Sequence, residues 1–323
     1  MSKKYYPEIN IYKGIGIILV VLGHALKQTG VMNTVFEMML SVIYSFHMPL
    51  FFVASGFVSV KFLDFTKREE KIQYIKDRAV RLLVPYFAVG IFYMPIKFVL
   101  SRFAVNPYDF SSAWKILIGE NPNTVLWFLY TLFWISVLCV LFLNRKNLKA
   151  VLIASAVLSF GAYLLEVQIE LPKYFFFFAA GICLRIHYEK LCSLIAGKIS
   201  VIIMCMFVLG NILLYVSGMY VWTFFTAVSG SIVTLILSQK IALKDQGQLN
   251  KILSVCGKYS MEIYILSDFI AIAFRILLWG ILGINYIVVT VVCFFVGMLF
   301  PIPISKYIIQ KVKIFRLLIL GMK

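Results

Sequence analysis

Charged side chains are scarce in this sequence: 14% of its 323 residues are Asp, Glu, Lys or Arg, against 62% that are hydrophobic. So few charges cannot clothe the surface of a water-soluble protein of this length, and so much apolar side chain excludes a disordered one. Acidic residues are scarcer still, 14 against 31 basic ones. Histidine occurs three times, as His24, His47 and His187. The six cysteines (Cys139, Cys183, Cys192, Cys205, Cys256 and Cys293) stand singly in apolar stretches, without CxxC or paired spacing. They form neither a metal-ligand nor a disulfide pattern and read as small buried hydrophobes. With no linker, low-complexity tract or internal repeat to divide it, the chain reads as one transmembrane domain over residues 1–323.

What is abundant is apolar sequence, with a mean hydropathy of +0.94. Runs of about 20 residues suffice to cross the hydrocarbon as a helix. Such runs recur near 11–30, 40–60, 82–103, 123–143, 149–167, 173–187, 199–217, 219–239, 259–279 and 284–304, the sixth being short. The expected fold is therefore an all-α integral membrane protein, a polytopic bundle of about ten transmembrane helices. The first run has no small-residue cleavage site behind it and reads as a retained span. With a cytoplasmic N-terminus, 24 of the 31 basic residues fall in inner segments: Lys3–Lys4, Lys61–Arg81, Arg145–Lys149, Arg185–Lys198, Lys240–Lys258 and the tail from Lys306. Lys13 lies at the inner end of the first span, and Lys27, Lys97, Arg102, Lys115, Lys173 and Arg275 remain for the outer side. This asymmetry follows the positive-inside rule and predicts that orientation. It also accounts for the net charge of +17 through contact with anionic lipid, so no nucleic acid partner is expected.

Ionisable groups inside a span are expensive and usually face a cavity or a partner. The first span carries Lys13 and His24, eleven residues apart, which returns them to nearly one helical face about 16 Å apart along the axis. Lys13 reads equally well as a cation snorkelling to the inner interface. His47, counted from Lys61 at the inner boundary, lies about 21 Å up the second span, close to the depth of His24. A hydrogen-bonded structural role and a chemical role are both open to it. Arg78 and Arg81 are three apart and neighbours on one helical face, suited either to bidentate capture of phosphate or to anchoring at lipid headgroups. In the ninth span, Asp268 is deep enough to require a cavity or a partner. Glu37 is placed near the outer side, within reach of a polar ligand. No cluster with metal-ligand spacing occurs, and no metal is expected.

Three segments in order resemble the acyltransferase-3 family of membrane O-acyltransferases, in particular its fucose 4-O-acetylase-like branch. The first is Lys13-Gly14-Ile15-Gly16, continuing through Gly23 to His24: a basic residue, ten positions and a histidine, with Lys where Arg is commoner. The second is Phe46-His47-Met48-Pro49-Leu50-Phe51-Phe52, and the third is Arg78-Ala79-Val80-Arg81 followed by Leu82-Leu83-Val84-Pro85-Tyr86. Weaker matches are Leu126-Trp127-Phe128-Leu129, Phe175 to Gly181, and Gly257 to Tyr264, so that the likeness covers nearly the whole chain. Two departures stand out. Asn10 occupies a position where the family often has Asp, and Ser267-Asp268 occupies one where it often has His.

The resemblance implies transfer of an acyl group, usually acetyl, from acyl-CoA to a hydroxyl of a cell-surface or exported carbohydrate or of its lipid-linked precursor. It implies His24 as general base with His47 beside it in the catalytic set, and Arg78, Arg81 and Lys13 as acyl-donor-binding residues. Asn10, Glu37, Ser267 and Asp268 are the supporting candidates. Acetyl-CoA or another acyl-CoA is then a co-substrate, no cofactor is tightly bound, and the expected location is a bacterial cytoplasmic membrane. Oligomeric state is left open. The alternative is a transporter or substrate-importing module without acyl transfer, suggested by the intramembrane Asp268 and by the missing late histidine.

Overall fold

The computed structural model describes residues 5–99, 109–243 and 247–322. Lys3, Lys4, Arg102, Lys244 and Lys323 of the basic pattern, and the end of the third expected span, lie outside the described residues. The described chain is helical, without a strand. Its first seven helices are α1 (Pro7–Lys27), α2 (Thr34–Val58), α3 (Arg68–Val99), α4 (Trp127–Phe142), α5 (Leu148–Leu164), α6 (Glu170–Ile186) and α7 (Tyr188–Leu194). The others are α8 (Lys198–Ser217), α9 (Trp222–Leu243), α10 (Gln248–Lys258), α11 (Ser260–Arg275), α12 (Tyr286–Leu299), α13 (Pro301–Ile304) and α14 (Lys313–Leu320).

Eight segments among the described residues are long and apolar enough to cross a membrane, built on α1, α2, α3, α4, α8, α9, α11 and α12. The polytopic all-α fold expected from hydropathy is thus present. The fifth and sixth expected spans are the 17-residue helices α5 and α6. Each is about 25 Å long against about 30 Å of hydrocarbon. Two boundaries differ from the hydropathy reading because polar caps extend helices beyond their apolar runs. Asn33 Oδ1 accepts the Phe36 N–H at 2.9 Å and Glu37 stands in the first turn, so α2 starts at Thr34 and His47 lies mid-helix. Glu70 Oε2 accepts the N–H groups of Thr66 and Lys67 at 3.1 Å each, and α3 starts at Arg68. Arg78 and Arg81, expected at the end of a loop, are therefore inside a 32-residue helix.

The chain divides into two compact units, Met1–Gly23 with Met32–Asp64 and Leu143–Ser260, and His24–Val31 with Phe65–Phe142 and Met261–Lys323. The first unit is held by close backbone approach. A Cβ on Gly56 of α2 would stand 2.0 Å from the Phe178 carbonyl oxygen, and one on Gly181 of α6 would stand 2.1 Å from that of Val53. Small residues let membrane helices touch where apolar burial alone gives little preference for one partner over lipid. Polar side chains add to this: Ser45 of α2 donates to Asn211 of α8 at 3.2 Å, and Ser159 of α5 to the Lys173 carbonyl of α6 at 2.7 Å.

In the second unit, Ala25 in the last turn of α1 packs with Ala271 of α11 and with Val289 and Cys293 of α12. The segment between α3 and α4 is pinned to α3: Asn121 Nδ2 donates to the Tyr86 carbonyl at 2.9 Å, and the Tyr86 hydroxyl donates to the Ile116 carbonyl at 3.0 Å. Tyr264 of α11 donates its buried hydroxyl to the Val125 carbonyl. The chain end returns to α3, where a Cβ on Gly321 would lie 2.4 Å from the Val80 carbonyl oxygen.

Candidate active site

The packing of Ala25 on Ala271 sets the last turn of α1 beside the second half of α11, and polar groups collect there. Asp268 is one turn before Ala271. Its Oδ1 accepts a hydrogen bond from Gln28 Nε2 at 3.4 Å, across 240 positions of sequence. His24, partly buried one turn before Gln28, interacts electrostatically with Asp268. Asp268 interacts in the same way with Arg275 of α11 and Lys97 of α3, and Tyr93 of α3 with both Asp268 and Arg275. The Tyr93 ring meets Phe269 edge to face, with centroids 4.9 Å apart, which fixes α3 against this part of α11. Lys97 Nζ donates to the Pro122 carbonyl at 3.2 Å. Directly after Arg275 the helix continues as a π-helical turn, Ile276–Ile281, a local widening often found at functional sites.

A second polar group lies toward the start of α11. Arg81 interacts electrostatically with Glu262 and with Arg78, and its Nη1 donates to the Leu320 carbonyl at the end of α14 at 2.5 Å. Glu262 Oε1 accepts from Gln310 Nε2 at 3.3 Å. Arg78 Nε donates to the Tyr74 hydroxyl at 2.9 Å, with its guanidinium 5.1 Å from that ring's centroid. Both arginines are partly buried. Arg81 is thus engaged with the chain's own C-terminal helix, and Arg78 is steadied by a tyrosine one turn earlier.

The remaining sequence candidates are spread more widely. His47 belongs to the first unit and is 5% exposed. Its Nδ1 lies 2.7 Å from the Ile43 carbonyl oxygen one turn back. A carbonyl only accepts, so Nδ1 carries a proton in this bond. Lys13 is partly buried on α1 in that unit. Asn10 donates to the Tyr5 hydroxyl at 2.9 Å, and its carbonyl oxygen would lie 1.7 Å from a Cβ on Gly257 of α10. Glu37 is exposed in the first turn of α2, where a carboxylate complements the helix dipole. Ser267 is buried beside Asp268.

Of the predicted residues, then, the structure brings His24 together with Asp268, and Arg78 together with Arg81. Sequence reasoning passed over Gln28, Tyr93 and Lys97 as members of the first group, while spacing already placed Arg275 on the face of α11 that carries Asp268. Lys97 and Arg275 carried a signal, since both break the charge asymmetry from inside or beside a span; Gln28 and Tyr93 carried none. His24 and Asp268 are thus within electrostatic reach of each other among helices of a membrane protein.

Comparison with known families supplies the class. The chain belongs to the acyltransferase-3 family, whose model, described as an acyltransferase domain, matches residues 6–306. It is also similar to the nodulation protein NolL of Sinorhizobium fredii, 42% identical over 76 residues. That match covers 23% of this chain and 20% of the relative, so the two share about a fifth of NolL's length. No solved structure matches.

Proposed function

We propose that this membrane acyltransferase moves an acyl group, acetyl in the simplest case, from acyl-CoA to a hydroxyl of a cell-surface or exported carbohydrate. The observation that carries the reading is the convergence of His24 and Asp268 from opposite ends of the chain, with Gln28 bonded to the carboxylate. In the reaction the acceptor hydroxyl gives its proton to His24 as its oxygen attacks the thioester carbonyl. The carbon–sulfur bond of the tetrahedral intermediate then breaks, and the thiolate of CoA leaves with the proton returned by the imidazolium. The ester product and free CoA account for all atoms, and His24 ends as it began.

Arg78 and Arg81 receive the phosphates of CoA in this reading, with Lys13 as a further cation for the donor. A planar guanidinium pair one turn apart suits phosphate oxygens. A cytoplasmic N-terminus brings these arginines to the compartment that holds acyl-CoA, and a bacterial cytoplasmic membrane is the setting. Within the family, the motifs around His24, His47 and Arg78 resemble the fucose 4-O-acetylase-like branch, which favours acetyl as the group and a sugar hydroxyl as its destination.

The test uses cells lacking the gene, complemented with wild type or with His24→Ala, and mass spectrometry of surface glycans. Loss of ester groups in the variant, at equal membrane levels, is the expected result. Unchanged ester content overturns the assignment of His24. Solute uptake by vesicles without acyl-CoA turnover overturns the acyltransferase reading in favour of transport.

A further inference from the structure

The first unit contains a cavity of about 220 Å³ walled by α1, α2, α6, α7 and α9. Its lining is apolar apart from Tyr12 of α1 and Ser231 of α9. An apolar wall gives water too few partners to stay, so space of this kind suits an apolar ligand. Contacts around the cavity keep its wall in place. The rings of Phe176 and Phe177 on α6 meet Phe224 of α9 with centroids 5.8 and 6.5 Å apart. The close approach at Gly56 and Gly181 fixes α6 against α2. At one end, Tyr188 of α7 donates its hydroxyl to Glu8 of α1 and accepts from Gln239 of α9 at 3.0 Å, which joins three of the walls.

The two ends of the cavity differ. Leu184 and Leu191 line the end that adjoins Arg185 and Lys190 in the chain, and Ile195 there lies three residues before Lys198. The segment Arg185–Lys198 carries three Lys or Arg side chains against one acid, Glu189, and falls on the inner side in the charge asymmetry. Lys190 and Lys198 are exposed, while Arg185 donates to the Tyr6 hydroxyl. From that end the lining runs into the bundle. Phe176 is about 12 Å along α6 from Leu184, and Val228 about 10 Å along α9 from Leu235. Tyr12 is 1% exposed, and its hydroxyl has no acceptor in hydrogen-bonding geometry. Ser231 stands beside it and gives its own proton to the Ala227 carbonyl at 2.7 Å. A phenolic donor in apolar surroundings costs free energy until an oxygen accepts from it.

We propose that this cavity holds an acyl chain of an anionic phospholipid from the inner leaflet, with an ester carbonyl accepting the Tyr12 proton and the phosphate at Lys190 and Lys198. Each part of the lipid meets a matching part of the protein. The apolar lining takes the chain, and the basic segment takes the phosphate. Tyr12 directly precedes Lys13 at the inner end of the first span, the depth at which a bilayer lipid carries its ester oxygens. The bilayer supplies such a ligand at the mouth of the cavity, which favours a lipid over a soluble acyl donor as the occupant. The site makes no use of His24, Asp268 or acyl-CoA. A chain seated there fills space between α6 and α9 and becomes part of the packing of the first unit.

The test places the full-length protein in nanodiscs of phosphatidylcholine with a small fraction of phosphatidylglycerol that bears a photoreactive diazirine chain. Cross-linked peptides are mapped by mass spectrometry, and a choline lipid with the same chain is the neutral comparison. The expected result is labelling of α6 and α9 at the cavity in excess of the exposed face of α8, about tenfold stronger for phosphatidylglycerol than for the choline lipid. Ala180→Phe fills the cavity and removes the labels on α6 and α9 while those on α8 remain. If that variant does not fold, two milder changes are read. Tyr12→Phe lowers cavity labelling about fivefold, and Lys190→Gln/Lys198→Gln at exposed positions brings the two headgroups to parity. Cavity labels no stronger than those on α8, or labels that persist unchanged in the variants, overturn the site. Loss of the cavity labels on adding equimolar palmitoyl-CoA overturns the lipid as occupant in favour of a long-chain acyl donor.

Discussion

His24 and His47 share a chemistry and differ in what holds them. His47 is bound to its own helix, with Nδ1 committed to the Ile43 carbonyl and the ring edge-on to Tyr44 at 4.9 Å between centroids. Such a bond, from a side chain to the carbonyl one turn back, needs no tertiary structure. His24 interacts electrostatically with Asp268, a carboxylate from a helix near the other end of the chain, which accepts a hydrogen bond from Gln28. Residue type alone does not make a base. A local bond fixes the orientation of a ring, whereas a partner brought in by the fold adds a charge to its surroundings.

The largest effect is expected from His24→Ala, which lowers acyl transfer by about 10²–10⁴-fold per inserted molecule, measured with radiolabelled acyl-CoA. An equal loss in His47→Gln breaks the contrast between the two rings. Next comes Asp268→Asn, which keeps an acceptor for Gln28 but removes the charge; turnover falls about a hundredfold at unchanged membrane level. An effect below about threefold there removes Asp268 from the reaction.

On the proposed function, the two arginines extend the contrast to the donor side. Arg78→Gln raises KM for acyl-CoA about tenfold while kcat holds. Arg81→Gln raises KM as well and also loosens α14, because the Leu320 carbonyl loses its donor. The stability cost is about 1 kcal/mol for a partly exposed charged bond, read as a lower Tm. The smallest change is in His47→Gln, which loses the ring's bond to its own helix, about 1 kcal/mol, and keeps its turnover within about threefold per folded molecule.

Much of this was legible in the residues. The spans followed from hydropathy, and the unusual polar positions within them (Lys13, His24, His47, Asp268) stood out because lipid makes such groups expensive. Helix starts at Thr34 and Arg68 were misjudged because hydropathy reports where a helix is apolar, while capping by Asn33 and Glu70 decides where it begins. The engagement of Arg81 with Leu320 had no local signature at all, since the two lie 239 positions apart.

Composition and local pattern by themselves determined that the chain lives in a bilayer, that it is helical, and which polar side chains needed explaining. Each of these is a sum over neighbouring residues, which a linear sequence displays directly. The tertiary structure decided that Gln28 donates to Asp268 and that Arg81 donates to the Leu320 carbonyl. Those pairings depend on which helices pack together, and packing in lipid is chosen by small residues and single hydrogen bonds between distant positions, for which hydropathy carries no information.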